Sequence, residues 1–163
     1  MPCVSKSDMN PAVPAPIELI SRGVCFSDGY VLACRNRRRG NLYLPGGHIE
    51  RGESARQALA REWREELGVD CIVDSFLAVH EQRFTSPDEG DTCELTLLFR
   101  CTSPTLRAPL APTAAESHIA FEWIPLDGLM TAGLLPLGMA RQLPAWLANP
   151  APPVPSDWAE GYS

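Results

Sequence analysis

Three glutamates on one predicted helix have the residue type and the spacing that best suit a binding or catalytic site in this chain. Residues 44–69 read LPGGHIERGESARQALAREWREELGV, with Glu62, Glu65 and Glu66 at positions i, i+3 and i+4. Residues at this spacing lie on one side of an α-helix, and like charges there disfavour the isolated helix. The helix dipole also disfavours anions near its C-terminal end. A divalent cation would remove both penalties, because Mg²⁺ and Mn²⁺ prefer oxygen ligands.

A solvated charged face, with Arg61 and Arg64 as neighbours of the glutamates, is the alternative interpretation. The residues before the helix argue against it. Gly46 and Gly47 allow the backbone to approach a ligand closely and to aim a carbonyl at it. An ion pair between Glu53 and Arg61 would fix how the glutamates are presented, although it spans more than one helical turn. We therefore expect a metal site on this helix.

An apolar stripe on the same helix predicts that the helix packs against a sheet. Its residues recur every four positions, and they are Ala55, Leu59, Trp63 and Leu67. We expect the helix to begin at Glu53 or Ser54. It should end at Gly68, where a left-handed backbone conformation is favoured.

The rest of the chain predicts strands on both sides of this helix. β-like runs occupy 17–26, 30–36, 41–45, 69–84, 92–102 and 119–126. A second helix is expected at 134–149, broken or bent at Pro144. Strands before and after one central helix, with a helix at the end, indicate an α/β fold with a mixed sheet covered on both faces.

The glutamate-rich segment resembles the signature of the Nudix hydrolases, G-x5-E-x7-R-E-U-x-E-E-x-G-U, in which U is apolar. All specified positions match, and they are Gly47, Glu53, Arg61, Glu62, Trp63, Glu65, Glu66, Gly68 and Val69. Trp63 is bulkier than the usual aliphatic residue. The resemblance implies an α/β/α sandwich. It also implies metal-dependent hydrolysis of a pyrophosphate linkage in a nucleoside diphosphate joined to another moiety.

The resemblance also implies roles for individual residues. Glu62, Glu65 and Glu66 would hold Mg²⁺ or Mn²⁺, with Glu66 the central ligand and the Gly46 carbonyl a further one. One carboxylate would instead take a proton from the attacking water, and Glu62 is the usual residue in that role.

Three further residues are expected to act in catalysis. Arg61 and Glu53 complete the set through the ion pair described above. Glu116 lies in a loop before a strand, where many members of the family carry an extra ligand or general base. The alternative for Glu116 is an ordinary loop carboxylate.

Candidate substrate contacts lie near the glycine pair and on the strands. Arg35 would hold a phosphate, or simply end a strand in solvent. His48 would touch substrate or cap its loop. Phe84 and Tyr43 could stack on a base, although core packing is the alternative for both. Residues 35–40, RNRRRG, form a basic loop that would either attract an anionic substrate or be a solvated turn.

The substrate itself stays open at this point. ADP-ribose, a sugar nucleotide, a nucleoside triphosphate and a dinucleoside polyphosphate all suit the signature. A Nudix-fold module that binds a nucleotide without cleaving it is the alternative function. Catalysis is favoured because no signature carboxylate is missing.

Composition limits the partners and the compartment. The net charge is −6, which argues against a nucleic-acid polymer or an anionic membrane as partner. The six cysteines form no CxxC pair, and no signal peptide or transmembrane run is present, so we expect reduced thiols in a cytoplasmic protein. We expect one domain at 17–148 between Pro-rich tails at 1–16 and 149–163. The resemblance makes a homodimer possible.

Overall fold

A computed structural model of the chain describes residues 17–86 and 90–148. The expected tails at 1–16 and 149–163 lie outside the described residues. The described strands are β1 Ile17–Ser27, β2 Tyr30–Asn36, β3 Leu42–Tyr43, β4 Gly46–His48, β5 Ile72–Ser86, β6 Gly90–Thr102, β7 Ile119–Pro125 and β8 Leu134–Leu135. The described helices are α1 Ala55–Leu67, α2 Leu129–Ala132 and α3 Leu137–Ala148, with a 3-10 turn at Leu126–Gly128.

Strand β1 is the centre of the sheet. It runs parallel to β6, with Ile17 opposite Cys93 and Cys25 opposite Cys101, and β5 lies antiparallel on the outer side of β6. The end of β1 turns at Asp28 and continues antiparallel as β2, which pairs with β3 and β7. β4 pairs antiparallel with β1. The sheet is therefore mixed, as the sequence predicts.

Both faces of the sheet are covered, because alternate residues of a strand point to opposite sides. In β2, Val31 and Ala33 belong to the core that contains Met139 of α3. Leu32 and Cys34 belong to the other core, which contains the apolar residues of α1. The two helices therefore enclose the sheet, and the predicted α/β/α sandwich is confirmed.

Helix α1 begins and ends at the predicted residues. Ser54 caps its N-terminus by accepting a hydrogen bond from the Gln57 backbone nitrogen, and the Gln57 side chain accepts from the Ser54 backbone in return. Gly68 ends the helix in the left-handed conformation. The predicted apolar stripe is buried along its whole length.

The unusual tryptophan of the signature fits because the strand beneath it carries a glycine. Trp63 is fully buried. A Cβ at Gly23 of β1 would lie 2.6 Å from the Cys101 sulfur and 3.0 Å from Trp63 Nε1. Any larger residue at Gly23 would collide with this packing, so the glycine provides the space that the indole ring occupies.

The end of the domain differs from the expected single helix. β8 and α2 are short elements without a periodic apolar pattern, and α3 begins at Leu137. Pro144 lies inside α3, which continues to Ala148. The five cysteines among the described residues are unpaired, and Cys3 lies outside them. None of the helices in 17–86 and 90–148 is long and apolar enough to cross a membrane.

Candidate active site

The two glycines of the signature form strand β4 and lie directly against β1. Gly46 pairs with Arg22 and Gly47 with Ser21. At Gly46 the φ angle is +121°, and a Cβ there would overlap with the Ser21 carbonyl oxygen. Only glycine therefore fits this position.

Glu66 is the most buried glutamate of the predicted cluster, with 8% of its surface exposed. The Gly46 backbone N–H donates to Glu66 Oε2 over 3.1 Å. Burial raises the pKa of the Glu66 carboxyl to about 7, although the Gly46 hydrogen bond and the charge of Arg22 oppose the shift. Glu62 and Glu116 raise this pKa further by like-charge repulsion.

Arg61 connects the remaining signature carboxylates. Its guanidinium donates to Glu53 over 2.8 and 3.1 Å, to Glu62 over 2.9 Å and to Glu65 over 3.0 Å. It also donates to the His48 carbonyl over 3.1 Å. The hydrogen bonds from Arg61 lower the pKa of Glu53, and those to Glu53 and Glu62 raise the pKa of Arg61. The predicted ion pair of Glu53 and Arg61 is thus present.

Glu62 packs against the second glycine of β4. A Cβ on Gly47 would overlap with the Glu62 carboxylate. The missing side chain therefore leaves the space in which this carboxylate lies, between Gly47 and the Arg61 guanidinium.

The loop that carries Glu116 reaches the C-terminal end of α1. The Ala115 N–H donates to the Glu66 backbone carbonyl over 2.7 Å. The Glu116 carboxylate lies 3.3 Å from His118 Nε2 and is close enough to Glu66 to raise its pKa. The structure therefore brings Glu116 to the glutamates of α1, which are far from it in sequence.

The carboxylate and carbonyl oxygens that could bind a metal are present, but most of them accept hydrogen bonds from arginines. Within 17–86 and 90–148, no group of three carboxylate, imidazole or thiol side chains stands in a metal-binding arrangement. Glu62 and Glu65 face Arg61, and the Gly46 carbonyl accepts from Arg22. Because every candidate ligand atom in this set is an oxygen, the set fits Mg²⁺ or Mn²⁺ better than a softer metal.

A cleft of about 650 Å³ is lined by Arg22, which donates to the Gly46 carbonyl, although none of the described residues of α1 is in its wall. His48, Phe84 and Tyr43 line it, so three of the predicted substrate contacts face the same space. The His48 ring nitrogen lies 3.3 Å from Glu18, which also lines the cleft. Phe84 also borders a second cleft of about 590 Å³ at the ends of β5 and β6.

Arg35 lies elsewhere. Its guanidinium donates to Glu122 over 2.5 Å and to the Gly40 carbonyl over 2.8 Å. Arg35 is not among the described residues that line the 650 Å³ cleft. These contacts fasten the basic loop to β7, and the phosphate role of Arg35 stays a prediction.

Arg22 is the residue of this region that the sequence did not reveal. Its Nη1 donates to the Leu44 carbonyl over 3.1 Å and to the Gly46 carbonyl. Its guanidinium lies 5.0 Å from the centre of the Tyr43 ring. A lone arginine in an apolar strand gives no local signal, because these partners are set by the pairing of β1 with β4.

Comparison with known proteins identifies the family of this chain. A family model described as the NUDIX domain matches residues 20–146. The CTP pyrophosphohydrolase of Escherichia coli is 35% identical over 114 residues, which cover 59% of this chain and 84% of that protein. The 8-oxo-dGDP phosphatase of Homo sapiens is 36% identical over 80 residues. That match covers 42% of this chain but only 24% of the human protein.

Solved structures show the same fold. The MutT protein from Methanosarcina mazei superimposes with a TM-score of 0.67 at 17% identity, covering 84% of this chain and 97% of that one. The Escherichia coli ORF135 protein gives a TM-score of 0.61 at 24% identity, covering 85% and 96%.

Proposed function

Because this chain belongs to the Nudix hydrolase family, we propose that it hydrolyses a pyrophosphate linkage in a nucleoside di- or triphosphate. The observation that carries the proposal is the buried Glu66 carboxyl. It is fixed by Gly46, and its pKa is raised to about 7. A buried carboxyl with a perturbed pKa beside a cleft is typical of a functional site. An ordinary solvated helix face would leave Glu66 exposed.

The proposed ligands of the divalent cation, Mg²⁺ or Mn²⁺, are Glu62, Glu65, Glu66 and the Gly46 carbonyl. When bound, the ion would supply positive charge to the phosphate oxygens and promote ionisation of the attacking water. An ion at this place would also lower the pKa of Glu66, because a positive charge favours the ionised carboxylate.

The other residues of the site would position these groups. Arg61 holds Glu53, Glu62 and Glu65 through one planar guanidinium, so the carboxylates keep a fixed arrangement. We propose Glu62 as the proton acceptor for the attacking water, a role that it would take instead of binding the ion. Glu116 is the second candidate, since its loop is hydrogen-bonded to the end of α1.

The organic part of the substrate would occupy the 650 Å³ cleft. Tyr43 and Phe84 offer aromatic surfaces for a base, and Gln82 and Glu94 offer hydrogen-bonding groups in the same wall. Similarity to the CTP pyrophosphohydrolase, which this chain matches over 84% of its length, favours a nucleoside triphosphate. Similarity to the 8-oxo-dGDP phosphatase favours a diphosphate, but the chain spans about a quarter of that protein. Cytoplasmic location and a homodimer stay predictions.

A substrate panel tests this proposal. CTP, dCTP, 8-oxo-dGDP, 8-oxo-dGTP, ADP-ribose, a sugar nucleotide and a dinucleoside polyphosphate would each be incubated with Mg²⁺ or Mn²⁺, and the products identified by mass. We expect metal-dependent release of a nucleoside monophosphate from one class. The Glu66→Gln variant should lose this activity. A matched change, Glu81→Gln at an exposed position on β5, should keep it.

Two results would contradict the proposal. Hydrolysis that is unaffected by Glu66→Gln would place the chemistry elsewhere. Saturable nucleotide binding without turnover of any compound, at any metal concentration, would support the alternative of a binding module.

A further inference from the structure

We propose that Arg22 binds the substrate phosphate nearest the nucleoside and so directs the phosphate chain from the cleft toward the glutamates of α1. This inference rests on the proposed function, because it assumes a nucleotide in the cleft. It assigns to β1 a substrate contact outside the glutamate-rich segment.

The guanidinium of Arg22 is held in place on one side. Both of its hydrogen bonds, to the Leu44 and Gly46 carbonyls, use Nη1. The Tyr43 ring supports it at 5.0 Å. Among the described residues, Nε and Nη2 have no hydrogen-bond partner. An arginine anchored in this way presents its remaining N–H groups in a fixed plane, which matches two oxygens of a phosphate.

Arg22 also stands at the boundary of the two parts of the site. It lines the 650 Å³ cleft together with Tyr43 and Phe84. Its Nη1 also donates to the carbonyl of Gly46, and the N–H of the same glycine donates to Glu66 Oε2. A nucleotide with its base in the cleft and its reacting phosphates at Glu66 would therefore have this guanidinium within reach of its phosphate chain.

The other arginines near the site are less suited to this role. Arg61 is engaged by three carboxylates and the His48 carbonyl. Arg35 is paired with Glu122 and does not line the cleft. Arg39 does line it, but belongs to the loop between β2 and β3.

Arg22 could instead serve only to lock the Gly46 turn, and binding measurements without metal separate the two roles. Cytidine and CMP, and guanosine and GMP, would be titrated calorimetrically into the metal-free protein. A phosphate contact predicts that the wild type binds at least one monophosphate about tenfold or more better than its nucleoside, since charge-assisted hydrogen bonds are strong.

Variants at Arg22 test whether this preference depends on its side chain. Arg22→Met should abolish the preference while nucleoside affinity changes less than about threefold. Arg22→Lys should restore part of it, because lysine keeps the charge but lacks the planar fork. Arg56 provides a matched control, since its guanidinium also donates to a backbone carbonyl, that of Val73, and lies outside the cleft. Arg56→Met should keep the wild-type preference.

Some outcomes would overturn the inference. The first is that the wild type binds no monophosphate better than its nucleoside. The second is that Arg22→Met lowers the affinities for nucleoside and monophosphate equally. The second result would assign Arg22 to the Gly46 turn alone.

The proposed function can fail separately. If the phosphate preference disappears in Arg22→Met but the wild type hydrolyses no nucleotide with metal, the inference stands and the proposed hydrolysis fails. If hydrolysis is observed and the preference for the monophosphate is unchanged in Arg22→Met, the proposed hydrolysis stands and the inference about Arg22 fails.

Discussion

The Glu66 carboxylate of α1 and the Gly46 backbone N–H of β4 are joined by a hydrogen bond of 3.1 Å. This bond links the last turn of the helix to the strand that carries the glycine pair. It also holds a carboxyl group in a place where burial strongly disfavours its charge. The burial of Glu66 in this part of the site therefore lowers the free energy of unfolding at neutral pH.

The raised pKa of Glu66 predicts a specific pH dependence of stability in the metal-free protein. Its folded pKa of about 7 lies above the ordinary value of 4.5, so its stabilising contribution is complete below pH 4.5 and is lost as pH rises through 7. The total loss is about 3 kcal/mol in the free energy of unfolding. Urea unfolding of wild type and Glu66→Gln in chelator, from pH 4 to 8, would measure it as a difference. A difference that is constant with pH would contradict the prediction.

Metal binding should reverse this effect. Wild type at pH 7.5 should gain about 2.7 kcal/mol of stability when the free Mg²⁺ or Mn²⁺ concentration reaches 100 times its dissociation constant. Glu66→Gln should gain less in thermal melts at the same metal concentration, and its turnover should fall by orders of magnitude because a ligand charge is lost. Glu81→Gln is the control. Equal stabilisation of wild type and Glu66→Gln would exclude Glu66 as a ligand.

The two glycines of β4 should respond differently to alanine. Gly46→Ala places a Cβ against the Ser21 carbonyl at a φ of +121°, so it should lower the free energy of unfolding by about 2 kcal/mol or more. Gly47→Ala meets only the movable end of Glu62, so it should fold nearly normally but lose activity as that carboxylate is displaced. Chemical unfolding and a hydrolysis assay of both variants would show the contrast. Full activity of Gly47→Ala would mean that the position of Glu62 does not matter.

Arg61→Ala should reduce turnover more than stability. The loss of one guanidinium frees Glu53, Glu62 and Glu65 together, and misplaced groups can lower a rate by about 100-fold. The stability loss should be about 1–2 kcal/mol, since the partners are only partly buried. Arg64→Ala, which removes an exposed pair with Asp70, should change stability by less than about 1 kcal/mol and leave turnover intact. A large drop in the melting temperature of Arg61→Ala with unchanged turnover would make Arg61 purely structural.

The parts of the site that sequence could predict are those with local signals. The ends of α1 and its apolar stripe follow from the Ser54 cap, the terminal Gly68 and the spacing of Leu59 and Trp63. The spacing of the glutamates predicts a stripe of their own on the helix, but it does not specify that Glu66 is more buried than Glu62 and Glu65. Glu66 follows Trp63 by three residues, so the helical period itself contained the signal that it turns toward the core.

Long-range pairing accounts for what the sequence did not predict. The contacts of Arg22 depend on the register of β1 against β4, and the approach of Glu116 depends on a backbone hydrogen bond to the end of α1. The position of Arg35 at the end of an apolar strand predicts a phosphate contact. Its pairing with Glu122 comes from the register of β2 and β7, which no local pattern specifies.

The parallel pairing of β1 with β6 also has a kinetic consequence. Ile17 meets Cys93 across the sheet, so this pairing closes a long loop that contains α1 and the whole signature. Contacts between residues so distant in the chain form slowly, because the loop must lose its conformational freedom first. A nascent chain that has been synthesised only as far as β5 would therefore contain every residue of the signature while β1 still lacked its parallel neighbour.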